Sequence, residues 1–273
     1  MRALDIQRRR FCTTVATTLL AGTLTGMRPA LSGPRRAFTI FDGLLYLEKP
    51  DTRPLGLVPI HGSGELWRPG VSQDGVDEVQ IRAMFEPYRT SSGFYYIDIE
   101  NWPLESVSSD VRRQNIEKLM RVIDLARQTA PALHLGFYGL LPGITYWPLL
   151  RHDGAYGQWR EVNRKLDALA DHVDAVFPSL YTFYADLDGW KNYARQTLIE
   201  ARRYRKPVYA FLWPEFHDSN PTLGGHLVPR TFWRAELELC AELADGVVLW
   251  GGWKQHWNNE TEWWQETLLF MKA

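Results

Sequence analysis

The sequence predicts an α/β fold: a single TIM-like (β/α) barrel, distorted and built from seven βα units. Three observations carry that expectation. Short apolar runs of strand type alternate with segments of helical periodicity, the pattern of a parallel sheet with crossover helices. Seven such repeats fit into the chain after residue 37, and no internal repeat or low-complexity linker marks a second domain. Polar and aromatic residues gather where the runs end, at Asp98, Glu100, Tyr138, Tyr181, Trp213, Glu215 and Trp250. In (β/α) barrels that rim carries the active site, whereas the opposite rim carries stability. A doubly wound open sheet is the alternative architecture.

Residues 1–37 stand apart from the barrel, which is assigned to residues 38–273. Arg8-Arg9-Arg10 precede a stretch, residues 11–27, that is apolar or hydroxylic, uncharged, and short for a membrane span. A basic run before such a segment reads as an export signal. With Phe11 it fits the twin-arginine pattern, an ordinary export signal being the alternative. The expected location is periplasmic or secreted.

The first strand is expected over residues 41–47, followed by a turn at Lys49-Pro50-Asp51. A short second strand covers 56–60 and ends at His61-Gly62-Ser63-Gly64. A Gly- and Pro-rich loop, 67–75, leads to a helix over 77–88. The third strand, 93–99, ends in the two carboxylates and is stopped by Trp102-Pro103. Ser108-Ser109-Asp110 can cap a long helix to about residue 128, whose Ile116, Leu119, Ile123 and Leu125 keep helical spacing. The fourth strand, 134–138, opens into an aromatic loop with Pro142, Tyr146 and Trp147. A helix over 158–172 and a fifth strand over 173–177 follow. A helix over 188–205, a sixth strand over 207–212, a helix over 229–245, a seventh strand over 246–250 and a closing helix over 259–271 complete the chain.

Charge and cysteine content narrow the partners. Residues 1–37 hold seven Arg against one Asp, so of the formal charge of −1 the remainder carries −7. An acidic domain is a poor partner for nucleic acid or an anionic membrane. Cys12 lies in the leader and leaves Cys240 alone, so the barrel has no internal disulfide and rests on its core. The seven His are scattered without metal-ligand spacing, and neither a metal nor another cofactor is expected. All 12 Trp follow residue 60. Some must be core, but those beside Gly and Asn, as in Trp250-Gly251-Gly252-Trp253, suit the apolar faces of sugars. The expected partner is a polysaccharide or oligosaccharide, bound by a monomer.

Asp98 and Glu100 carry the chemistry. Residues two apart on a strand share a face, with Cα atoms roughly 6.5 Å apart. Two acids ending an apolar strand are costly unless paired or used. Their like charges raise one pKa, which suits a general acid that must hold its proton near neutrality. The spacing is poor for an acid and a nucleophile on opposite faces of a sugar. It fits a substrate that supplies its own nucleophile, as a 2-acetamido group can. Pairing with Arg or Lys in a rim network is the bland alternative.

Several motifs then resemble the hyaluronidase family in order and spacing. They are Gly-Val-Ser-Gln-Asp-Gly (70–75), Tyr-Ile-Asp-Ile-Glu-Asn-Trp-Pro (96–103), Gly-Phe-Tyr (136–138), Phe-Pro-Ser-Leu-Tyr (177–181), Pro-Val-Tyr-Ala-Phe (207–211) and Gly-Val-Val-Leu-Trp-Gly (246–251). The resemblance spans roughly residues 56–255 and implies a distorted barrel of seven βα units. It implies a retaining glycoside hydrolase with Glu100 as general acid/base and Asp98 orienting the acetamido group. It also implies Tyr181 lining the −1 sugar site, Trp250 closing its floor, and Tyr146, with Tyr138 as rival, contacting the acetamido carbonyl. Trp213, Trp102 and Glu215 are further candidates for substrate contact. Glu215 binds a substrate hydroxyl or pairs with an Arg, and the family gives no match there. The family's disulfides are absent, the first βα unit is abbreviated near residues 49–55, and the acidic chain is ill suited to polyanionic hyaluronan. The expected substrate is an N-acetylhexosamine-containing glycan of low charge. A non-catalytic carbohydrate-binding barrel and a glycosidase with a protein nucleophile, possibly Glu215, are the competing readings.

Overall fold

The computed structural model describes residues 38–151 and 154–273; the export-signal reading of residues 1–37 lies outside the described residues. Strands β1 (Thr39–Leu44), β2 (Val58–Pro59), β3 (His61–Ser63), β4 (Gly93–Ile97), β5 (Leu133–Phe137), β6 (Tyr209–Leu212) and β7 (Gly246–Gly251) alternate with helices. The helices are α1 (Glu78–Phe85), α2 (Ser109–Thr129), α3 (Trp147–Arg151), α4 (Gly154–Arg164), α5 (Asp167–His172), α6 (Leu187–Arg203), α7 (Arg230–Leu243) and α8 (Glu262–Lys272). The strands form two parallel sheets, ordered β2-β1-β7-β6 and β3-β4-β5. Only Ile60 separates β2 from β3. On the other side, residues 176–179 bridge in parallel to Tyr138 after β5 and to Val208 and Phe211 at β6. The parallel neighbours therefore follow one another around a distorted barrel with seven strand positions.

Period-2 alternation builds two cores. One set of side chains packs together inside the barrel: Phe41, Ile60, Phe94, Tyr96, Ala175, Phe177, Tyr209, Phe211 and Val248. The alternate residues, among them Ile40, Tyr95, Ile97, Leu135, Ala210 and Leu249, join the core that includes the helices. α2 contributes Leu119, Val122, Ile123 and Ala126 at helical spacing, and Ser108 Oγ caps it by accepting from Val111 N at 3.3 Å. Inside, large rings face glycines. Tyr96 is registered between Gly62 on β3 and Gly136 on β5. A Cβ at Gly62 would lie 2.1 Å from the Tyr96 ring, and one at Gly136 would lie 2.2 Å from the Ala175 carbonyl. Phe41, Phe94 and Tyr209 meet edge to face at 4.9–5.5 Å, and Tyr96 meets Phe211 at 4.8 Å. Each such pair adds about 0.5–1.5 kcal/mol beyond area burial.

Three expectations need correction. The second strand is split, because Pro59 has no N–H to carry one ladder through: β2 pairs with β1 and β3 with β4. The fifth strand, expected over 173–177, is a chain of isolated bridges. Pro178 and Pro207 remove donors on both sides of that seam, so bonds such as Tyr209 N to Val176 O (3.0 Å) and Phe211 N to Pro178 O (2.9 Å) stand apart. The helix expected over 158–172 is divided into α4 and α5. Asn163 O accepts from Arg203 Nη2 at 2.8 Å and from Tyr204 Oη at 3.1 Å, and the chain turns with short bonds at Lys165 and Leu166. A 3-10 turn, Arg53–Leu55, stands where the first βα unit is abbreviated.

Candidate active site

β4 leaves the ladder at Ile97, and the next residues present the acids at its C-terminal end. Asp98 N still donates to Ser63 O at 3.1 Å, which ties the turn to β3. Ile99 is 1% exposed and anchors the outer face. Asp98 is half-buried and Glu100 exposed. Depth therefore separates two acids that the sequence makes look alike. Asp98 is pushed up from 3.8 to about 6, chiefly by burial and then by the charge of Glu100. The raised carboxyl of the pair is thus the inner one. Its Oδ1 has no hydrogen-bond partner among the described residues, so the rim network of Arg or Lys partners is not built around it.

Aromatic rings close around this carboxylate. Tyr96, two residues earlier on the same face, is pushed up to about 12 by burial and then by the Asp98 charge. Tyr138 follows β5, and its hydroxyl donates to Ser179 Oγ at 3.1 Å. Burial raises it, and the charges of Asp98 and Glu100 both reach it. Tyr181 tilts against Tyr138 at 5.8 Å, stacks on Trp250 at 5.8 Å and 28°, and meets Trp213 at 5.5 Å. Trp213 stands perpendicular to Trp250 at 5.2 Å, and its Nε1 is buried without a partner among the described residues. Asp98, Glu100, Tyr138, Tyr181, Trp213 and Trp250 thus come from five strand ends to one mouth.

The other expected residues lie elsewhere. Tyr146 is 9% exposed and packs with Trp147, Phe183, Tyr184 and Tyr193 at 5.2–5.8 Å. Its hydroxyl lacks a partner, and burial followed by the Asp186 charge pushes it up to about 12. Of the two rivals, Tyr138 is the one beside the carboxylates. Glu215 is 3% exposed and accepts from Gln255 Nε2 at 2.9 Å, with neither an Arg partner nor an open face. Glu215 is not among the residues that line the cleft beside Glu100. Trp102 is 3% exposed, donates to Gln73 O at 2.7 Å and packs edge-on against Trp67 at 5.4 Å.

Trp102 nevertheless borders a cleft of ≈ 230 Å³ that also includes Glu100, Leu104, Glu105, Tyr138, Leu140 and Ile144. This is smaller than a site for a drug-sized ligand, about 300–1,000 Å³, and suits a single ring. Its lining holds two carboxylates and no Lys or Arg. Glu105 Oε1 is buried without a partner, and burial raises this carboxyl against the opposing charge of Arg112.

Two residues of the mouth escape the sequence reading. Tyr96 carried a signal, since its parity matches Asp98. His217 carried none. It follows Trp213 on an irregular loop, stacks against Tyr181 at 6.0 Å and packs on Phe183 at 4.8 Å. Its Nδ1 accepts from Ser219 N at 3.1 Å, which leaves Nε2 as the donor edge of the neutral ring. Burial lowers its pKa, opposed by the charges of Asp218 and Glu100.

No protein-family model matches the chain, and no curated protein matches its sequence. Solved structures do resemble it. Bee venom hyaluronidase in a monoclinic crystal is 14% identical, with a TM-score of 0.59 over 86% of this chain and 96% of that one. The same venom enzyme in complex with a hyaluronic acid tetramer is 15% identical, again with a TM-score of 0.59, over 86% of this chain and 95% of the other. At that identity the likeness is one of fold, and the fold is that of a TIM-like barrel.

Proposed function

We propose that the chain is a retaining glycoside hydrolase that cleaves an N-acetylhexosamine-containing polysaccharide with the substrate's acetamido group as nucleophile. One observation carries this reading: a half-buried and an exposed carboxylate, two residues apart at the end of β4, both act on Tyr138, whose ring meets Tyr181, which in turn stacks on Trp250. The fold likeness to bee venom hyaluronidase agrees with it. Glu100, on the solvent side, donates its proton to the leaving glycosidic oxygen. The acetamido carbonyl oxygen bonds to the anomeric carbon as the C–O bond breaks. Asp98 accepts the acetamido N–H, holds the carbonyl in line and offsets the positive charge of the oxazolinium. Water then adds to the anomeric carbon while Glu100 takes its proton, and the ring opens to restore the acetamido group.

The acidic mouth favours a glycan of low charge over a polyanion, because no cation lines the cleft beside Glu100. Export of a monomer through the leader at Arg8-Arg9-Arg10 completes the proposal. Lys at Arg8 and Arg9 is expected to hold the protein in the cell, and cell fractionation reads this.

Glu100→Gln tests the chemistry. Product analysis on N-acetylhexosamine polymers is expected to show a kcat loss of about 10²–10⁴-fold, with glycan affinity kept. A wild-type protein that binds these polymers and cleaves none would make the barrel a carbohydrate-binding module.

A further inference from the structure

Trp147 and Tyr184 are 44% and 36% exposed, although most of the other large rings of the barrel are buried or half-buried. Both stand on connections that leave the C-terminal ends of strand positions. Trp147 follows the loop after β5, and Tyr184 lies three residues beyond Tyr181. Their rings meet at 5.0 Å and 47°, and the Arg151 guanidinium sits 5.1 Å from the centre of Trp147. Buried Tyr146 supports both, at 5.3 Å and 5.2 Å.

A chain of ring contacts links the pair to the mouth. Tyr181 leads to His217 at 6.0 Å, His217 to Phe183 at 4.8 Å, Phe183 to Tyr146 at 5.8 Å, and Tyr146 to the exposed pair. Three residues of extended chain reach about 10 Å, so Tyr184 stands no more than a few sugar rings from Tyr181. Flat rings with an open face, a guanidinium and a hydroxyl suit the apolar face and hydroxyl edge of a pyranose. From this we infer that Trp147 and Tyr184 form a distal subsite that holds a further sugar of the same glycan chain, so the protein works on a polymer. This rests on the glycosidase reading.

The test uses size-fractionated oligomers, from disaccharide to octasaccharide, of N-acetylglucosamine, unsulfated chondroitin and hyaluronan. Rates are measured with the full chain, and affinities by calorimetry on Glu100→Gln. In the accepted series, affinity is expected to rise with length. Trp147→Ala and Tyr184→Ala each flatten that rise, losing about tenfold on the octasaccharide and several times less on the disaccharide. Trp147→Phe restores most of it. Equal losses at every length, or none at any length, overturn the subsite while the glycosidase reading stands. Wild-type protein that neither binds nor cleaves any series overturns both. Should Trp147→Ala melt early, Tyr184→Ala decides alone, since Tyr184 lies outside the core cluster.

Discussion

The two ends of the barrel interior are built from the same residue types and behave differently. At the level of Phe41, Phe94, Tyr96, Tyr209 and Phe211, rings fill the barrel against one another and against glycines. At the C-terminal end, Asp98 Oδ1, Glu105 Oε1 and Trp213 Nε1 are buried without partners among the described residues, as are atoms of Tyr146, Asn163, Thr197, Glu236 and Trp263 away from the mouth. Each such atom costs about 1–3 kcal/mol. A fold tolerates that expense where a ligand supplies the missing partner. The floor holds the barrel, whereas the three polar atoms of the rim border the mouth that the proposed reading gives to a substrate.

Two substitutions should separate these roles. Asp98→Asn acts at the rim and is expected to lower kcat on the order of 100- to 1,000-fold, with the melting temperature kept or raised. A fall in stability with kcat intact would place Asp98 in the scaffold. Gly136→Ala acts at the floor. Its Cβ would meet the Ala175 carbonyl, which is backbone and cannot turn away. Denaturant unfolding is expected to show a loss of about 1–3 kcal/mol, with kcat per folded molecule little changed. A Gly136→Ala protein as stable as wild type would break the comparison.

Much of the floor was legible because one face of a strand is a simple rule. Phe94, Tyr96, Asp98 and Glu100 alternate, as do Tyr209, Phe211 and Trp213, and both sets point inward or into the mouth. The rule gives a face but not a depth, so it could not say that Asp98 is enclosed and Glu100 open. Nor does it reach the loops. Tyr138 sits at a strand end, whereas Tyr146 lies on a loop with no period and joins another ring cluster. His217 was invisible for the same reason. Pro59, Pro178 and Pro207, which lack an N–H, account for the split second strand and for the isolated bridges at the fifth position.

The raised carboxyl of Asp98 sharpens the comparison further, because one proton has two readouts. Between 3.8 and about 6 the folded state binds more protons than the unfolded state. Stability contributed by Asp98 is therefore full below the lower value and is lost as pH rises through the upper one. Its charge in the mouth appears over the same interval, so kcat is expected to rise there. Pairing thermal melts with rates from pH 4 to 7 checks both slopes. A stability slope that survives Asp98→Asn would assign it to other groups.

The smallest expected effect concerns His217, whose pKa burial lowers from its ordinary value and which is the rival of Asp98 for the acid limb of the rate profile. Ser219 N donates to Nδ1, so the neutral ring carries its proton on Nε2 and can donate from that edge. A hydrogen bond from this edge to substrate is worth about 0.5–1.5 kcal/mol, so His217→Gln is expected to raise KM roughly two- to tenfold and leave the limb near pH 6. Asp98→Asn removes the limb from whatever rate is left. If His217→Gln abolishes it instead, the titrating group of the mouth is the imidazole, and the inner carboxylate serves only to hold the acetamido group.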